Sequence, residues 1–423
     1  MMGRLRELLR ENALLRHGSI LISAAMVSHV CNMLFQLFMG RLLSGVEYAL
    51  LCTLLSLANM AVLPMGAIYT AISHGVRTLV MAGREGDVSR LVRCWLVRLG
   101  GVGLLFFVGS VVFVDPLASF FNLEREAPIV VMGFVLLLVF CSVTVNGASN
   151  GLQVFRSVMI AQQIAAVIRV GAAVLFIQVI AAAAGWGLLG HALGIGLNLL
   201  LLLFFLWHRL RGKQRSSLVL PSIKMQVLLN FGFLLAYAFL LRADMILVKH
   251  FVPDEATQFA YATTLGHLVI FLPLPLATAM FPKAVSEGRS SQEQRRVFVQ
   301  ALCYTSACLA PAVLFCSLAS WIPLRIFFGI IDPSRDLLHM VAAMSWVIMP
   351  LGLVHIFIYY CIAQKQYKQM LPILFFALFY FVAVLIDHAS VWRVILWAAV
   401  STWGCFLSSL VWVFFFFNRG HKT

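Results

Sequence analysis

Apolar residues fill this chain in runs of about 20, the length that carries an α-helix across roughly 30 Å of hydrocarbon. The runs recur about twelve times, near residues 18–40, 48–72, 94–114, 128–149, 158–182, 185–207, 226–250, 258–281, 297–320, 337–362, 369–386 and 391–417. The pattern predicts an all-α polytopic membrane protein with short connections. The exterior segments 115–127 and 321–336 are the longest of these on their side, and neither has room for a catalytic domain.

Polar positions inside the spans are organised by helix face. In span seven, Asn230, Tyr237 and Asp244 are spaced by seven and seven, so on a helix of 3.6 residues per turn they share one face. Arg242 lies two residues from Asp244, and such neighbours point to different sides, so direct neutralisation is not expected. Asp244 then needs a basic partner on another helix, such as Arg169, or else a proton or a cation. Span five repeats the pattern, with Gln162 and Arg169 seven apart and alanines near the same side. Span one carries Ser28, His29, Asn32 and Gln36, and span two carries Ser56 and Asn59. For these amides, interhelical hydrogen bonding and cavity lining are both open. His355 and Tyr359 in span ten are four apart and face the same way.

Intramembrane charges cost several kcal/mol unless they face protein or water, which marks Arg98, Arg169, Arg242 and Asp244. Arg98 lies near a span end and is expected to snorkel to the headgroups. Arg169 is near mid-span, too deep for that, and is the leading cavity cation. Three of the four charges are positive, which favours an anionic cargo.

Composition fits this reading. Of 423 residues, 62% are hydrophobic and 11% charged, with mean hydropathy +0.97, values that no soluble domain of this length sustains. The net charge of +15 is no nucleic-acid signal. With both termini cytoplasmic, only Arg41, Arg125, Lys249, Arg325, Arg335 and Arg393 lie on the exterior side, and the remaining loop cations are cytoplasmic. The basic cluster Arg209, Arg211, Lys213, Arg215 and Lys224 reads as a topology anchor on anionic lipid. The first run is expected to be a retained span after a cytoplasmic amphipathic segment, residues 1–17. Nine cysteines without a CxxC pair point to neither disulfides nor metal.

The basic cluster divides the chain into an N-lobe, 18–207, a linker, 208–225, a C-lobe, 226–417, and a tail, 418–423. A duplication is traceable. Tyr48-Ala49, Thr53-Leu54 and Pro64 recur as Phe259-Ala260, Thr264-Leu265 and Pro275 at the same spacing. Six spans per half give the copies one orientation, an arrangement used by transporters whose site lies between repeats. Pro64, Pro273, Pro275, Pro311 and Pro350 sit inside spans as hinges or static kinks. Gly187, Gly190 and Gly194 in span six read as close-packing positions. Phosphate loop, GxSxG elbow and HExxH are all absent, so no enzyme activity, cofactor or metal is expected.

Several stretches resemble the polysaccharide transporters of the multidrug/oligosaccharidyl-lipid/polysaccharide exporter superfamily, the flippases of lipid-linked oligosaccharides. They are Gly40-Arg41-Leu42-Leu43 into Glu47-Tyr48-Ala49, Asn150-Gly151-Leu152-Gln153 with Phe155-Arg156, Leu241 to Val248, and Phe271-Leu272-Pro273 leading to Phe281-Pro282-Lys283 and Ser286. The resemblance implies two six-helix lobes forming a V around a central cavity that opens alternately to either side. It implies a polyprenyl-pyrophosphate oligosaccharide as cargo, gripped by Arg169, Arg242 and Arg41 with Asn32, Gln36, Asn59 and Gln162 beside them. Guanidinium suits that task by offering a rigid fork of donors. The lipid-II branch is similar in using a sodium site on a span-seven carboxylate, matched here by Asp244, with Tyr237 and Asn230 on its face. Span eleven has no Asn or Asp, and only Ser401 and Thr402 stand in span twelve. The expected setting is the inner membrane, with membrane lipids, a polysaccharide or lipopolysaccharide polymerase and a chain-length regulator as partners. The alternatives are a drug or metabolite antiporter, which wants an acidic cavity, and a polymerase or ligase, which wants a long exterior loop.

Overall fold

A computed structural model describes residues 13–123, 125–210, 225–271, 291–364 and 366–419. Fourteen α-helices, and no strand, occur among them. In chain order they are α1 (Ala13–Leu42), α2 (Gly45–Met81), α3 (Val88–Val112), α4 (Val114–Phe120), α5 (Ala127–Gly151), α6 (Phe155–Val179), α7 (Ala184–Leu210), α8 (Met225–Phe251), α9 (Ala256–Phe271), α10 (Ser291–Leu318), α11 (Trp321–Phe328), α12 (Arg335–Ala363), α13 (Leu371–Ile386) and α14 (Val391–Arg419). Twelve are long and correspond one to one with the apolar runs. Ten of those are long and apolar enough to cross a membrane within the described residues, which makes this a multi-pass membrane protein. Large apolar side chains on the outer faces stay uncovered, with Leu105 and Phe204 each 73% exposed, as expected where lipid replaces water as solvent.

Two details differ from the sequence expectation. Segments 115–127 and 321–336 contain the short helices α4 and α11 rather than plain loops, and α2 continues to Met81, well past residue 72. The basic cluster from Arg211 to Lys224, the prolines Pro273 and Pro275, and Phe281-Pro282-Lys283 with Ser286 lie outside the described residues.

Local chemistry sets the helix ends. Ser44 caps α2 by accepting from the Glu47 amide at 3.4 Å, and Ser334 caps α12 by accepting from the Leu337 amide at 3.2 Å. Gly329, with φ +70°, ends α11 in the left-handed conformation that a residue without Cβ adopts freely. Glu47 accepts from the Ala184 amide at 2.6 Å, placing a carboxylate at the positive N-terminus of α7. The Asn150-Gly151 stretch has a packing role. A side chain on Gly151 would collide with the Ser73 carbonyl and Val76 of α2, and Asn150 donates to Ser73 Oγ at 3.1 Å.

Helices α1 to α7 pack largely among themselves, as do α9 to α14, while the most extensive contact of α8 is with α2. Between them, α2 lies along α8 and α9, and α1 meets α9 and α11. The polar contacts joining the lobes gather where α1 turns into α2 and α8 into α9. Arg41 donates from Nε to the Ile326 carbonyl at 2.9 Å and from Nη2 to the Arg325 carbonyl at 3.2 Å, so it satisfies the last turn of α11. Asn122 donates to the carbonyls of Lys249 and His250, and Phe120 stacks on His250 with centroids 4.1 Å apart. The lobes are thus sealed at the end opposite the interlobe linker.

Candidate functional site

A cavity of about 410 Å3 opens inside the first lobe among α1, α2, α5, α6 and α7. Small residues create it: Gly66 of α2, Ala165 and Ala166 of α6 and Gly194 of α7 all line its wall. A Cβ on Gly194 would press against Cβ of Arg169 at 2.6 Å, and one on Gly190 would collide with the Ala173 backbone. These glycines let α6 and α7 approach, and Gly194 leaves the Arg169 stem its place.

Arg169 is the one charged residue in the cavity lining, which also includes Ser28, Asn32, Tyr69, Asn146, Gln162 and Asn198. Its Nη2 donates to Asn32 Oδ1, and its Cζ lies 5.6 Å from the Phe35 ring centroid, close enough for a cation–π contact. Its buried Nε has no partner, and neither does Oδ1 of Asn198. Burying a polar group without a partner is costly. Phosphate or carboxylate oxygens would match the fork of donors that a guanidinium offers.

The other candidates stand elsewhere. Gln36, Asn59, Arg41 and Arg242 are absent from the cavity lining. Asn59 is half-buried on α2. Arg41 is exposed at the seal. Gln36 accepts from the Tyr48 hydroxyl at 3.1 Å. Tyr48 Oη also lies 2.9 Å from Thr264 Oγ1 of α9. A tyrosine has one hydroxyl proton, and it goes to Gln36, so Thr264 is the donor to Tyr48. The rings of Tyr261 and Phe328 flank Tyr48 at 5.5 and 5.3 Å, closing an aromatic plug between the lobes.

Arg242 and Asp244 belong to a second polar cluster, inside the C-lobe. No ion pair joins them, nor Asp244 to Arg169, among the described residues. The span-five arginine is held by Asn32, and the carboxylate is held by its own neighbourhood: the Met245 amide donates to Oδ1 at 2.8 Å and the Thr263 hydroxyl to Oδ2 at 3.0 Å. Asp244 is 3% exposed. His267 follows one helical turn after Thr263 and reaches back to the Leu241 carbonyl of α8. Tyr237 donates to the Leu351 carbonyl at 3.1 Å and packs on His355 at 5.5 Å, while Oδ1 of Asn230 is buried without a partner. Of the expected coupling face, only Asp244 joins the threonine–histidine group.

Several site residues escaped the sequence reading. Asn146 and Asn198 of the cavity, and Thr263, Thr264 and His267 of the C-lobe, sit in spans where attention to charge passed over neutral polar groups. The four-residue step from Thr263 to His267 was the available signal. No group of three or more metal-binding side chains occurs among the described residues.

No protein-family model and no curated protein matches the sequence. Solved structures do share its fold. An inward-facing multidrug resistance MATE family transporter of the MOP superfamily superposes with TM-score 0.74 at 13% identity, over 96% of this chain and 99% of that one. The outward-facing form of a transporter so described gives 0.65 at 13% identity, over 96% of both chains. The lipid II flippase MurJ in an inward closed conformation gives 0.70 at 12% identity, over 93% of this chain and 87% of that one. The chain thus has the fold of MOP superfamily transporters. At such identities the likeness concerns architecture.

Proposed function

We propose that the chain is a flippase, translocating a lipid-linked anionic oligosaccharide or polysaccharide precursor across the inner membrane by alternating access. The observation that carries this reading is the N-lobe cavity, whose lining holds an arginine with an unpartnered Nε and no acidic residue. A drug exporter for cations would need the opposite sign. The volume of about 410 Å3 suits one pyrophosphate or one sugar, so the rest of a lipid-linked cargo extends outside this pocket. On this reading the linker end is cytoplasmic, the sealed end exterior, and Asp244 carries the coupling ion.

The lipid-linked pyrophosphate class, the polymerase and chain-length partners and the inner-membrane setting follow from the sequence resemblance, and the flippase neighbour agrees with a lipid-linked substrate. Deleting the gene should make a lipid-linked oligosaccharide accumulate on the cytoplasmic leaflet, and wild type should restore export where Arg169→Ala does not. Intact export by Arg169→Ala would overturn the cationic-cavity mechanism.

A further inference from the structure

We propose that a cleft between α12 and α14 binds one phospholipid of the leaflet at the sealed end, with its phosphate on Arg393 and the primary ammonium of its headgroup on Asp387. The inference does not depend on the cargo or on the Arg169 cavity.

The cleft has a volume of about 490 Å3. Ala343 and Trp346 of α12 stand on one side, and Trp392, Leu396, Ala399 and Trp403, spaced by four, three and four along one face of α14, stand on the other. It opens sideways, where lipid is the solvent: Trp346, Trp392 and Leu396 are 43, 40 and 46% exposed.

Its depth matches one leaflet. At 1.5 Å per residue, Trp403 lies roughly 16 Å below Trp392 along α14. Half of a hydrocarbon core is about 15 Å. Trp403 Nε1 donates to the Trp346 carbonyl at 3.2 Å, so both walls reach the same level. The mouth belongs to the sealed end, because His388, in the turn before α14, stacks on Phe251 at the end of α8 with centroids 4.1 Å apart.

The deep part suits hydrocarbon. Trp346 Nε1 donates to Ser317 Oγ of α10 at 3.1 Å, so both deep indoles spend their N–H groups within the protein. An acyl chain needs no partner there, whereas the hydroxyls of a sugar would be buried without one.

The mouth is charged. Arg393 lines it, and Arg393 Nη1 lies 3.5 Å from Asp387 Oδ2, the oxygen that also accepts from Trp397 Nε1 at 3.3 Å. The pair is long and open to solvent, with side-chain exposures of 56% for Arg393 and 30% for Asp387. Opposite charges side by side at headgroup level match a headgroup that carries both signs. Guanidinium offers a fork to phosphate oxygens. Carboxylate only accepts, so it favours an ammonium that still has N–H donors over a quaternary one. An anionic headgroup would bring uncompensated negative charge beside Asp387.

Quenching of tryptophan fluorescence by brominated acyl chains tests the proposal on the full chain in phosphatidylcholine vesicles. In wild type, brominated phosphatidylethanolamine should reach half-maximal quenching at about five-fold lower mole fraction than brominated phosphatidylglycerol, the factor that partly exposed ion pairs supply. Asp387→Asn should erase that preference, and Arg393→Gln should weaken quenching by phosphatidylethanolamine. Ala399→Phe, which fills the cleft and leaves both charges in place, should remove the component that saturates at low mole fraction. Equal quenching by the two lipids in wild type, a preference that survives Asp387→Asn, or a saturable component that survives Ala399→Phe would each overturn the site. Displacement of the brominated phosphatidylethanolamine by equimolar polyprenyl phosphate would assign the cleft to a cargo tail and overturn it too.

Discussion

The Arg169 cavity of the N-lobe and the Asp244 neighbourhood of the C-lobe are built differently. In the N-lobe, glycines and alanines on α2, α6 and α7 open space around Arg169, and the guanidinium keeps an unpartnered Nε beside it. In the C-lobe, Asp244 and His267 are closed in by near neighbours, each bonded within α8 and α9. An open cavity has room for a group that arrives and leaves. A closed network leaves no volume for a cargo and holds its members in place. On the proposed reading, cargo recognition belongs to the N-lobe cavity.

The strongest way to break this comparison is at the cavity. Arg169→Ala should abolish precursor export, since losing one or two charge-assisted bonds costs about 1.5 to 3 kcal/mol each, or roughly 10- to 100-fold per bond. Arg169→Lys should recover only part of it, because an ammonium lacks the fork. An accumulation assay for the lipid-linked precursor reads both, and full recovery by lysine would show that charge alone suffices. Next in size, Gly190→Leu should cost about 1 to 3 kcal/mol by forcing α6 from α7. A lowered thermal midpoint in detergent would show it, and an unchanged midpoint would mean the helices are free to separate there.

The seal gives a smaller effect. Tyr48→Phe removes the hydroxyl that links Gln36 to Thr264, worth about 1 kcal/mol, and should shift the lobes roughly five-fold toward opening at that end. Spin-label distances across the lobes would report the change. Arg98→Ala should do least. Arg98 is exposed and lies over the Trp95 ring at 5.9 Å, so stability and export should stay within about 0.5 kcal/mol of wild type. A large loss there would mean that a headgroup-level cation takes part in transport.

Much of the architecture was legible from particular residues. Twelve apolar runs became the twelve long helices, and the clusters at Gly190 and Gly194 became close helix contacts. The face shared by Gln162 and Arg169 lines the cavity, because a seven-residue spacing survives in any regular helix. Arg242 and Asp244 do not pair, for the same local reason. Legibility stopped where an interaction crosses between helices. Arg41 was placed among the cavity cations by the family resemblance, yet it satisfies carbonyls of α11 far away in the chain. Gln36 was placed on a polar face, and which helix that face meets was not written in span one.

Helix number and the sign of the buried charge were determined by the sequence, because burial in lipid forces every span to satisfy its own backbone and leaves its side-chain pattern bare to reading. Partnership was decided only by tertiary structure. Arg169 found Asn32, Asp244 found Thr263 and His267 found the Leu241 carbonyl, because hydrogen bonds reach about 3 Å. Only the packed bundle brings residues far apart in the chain to that distance.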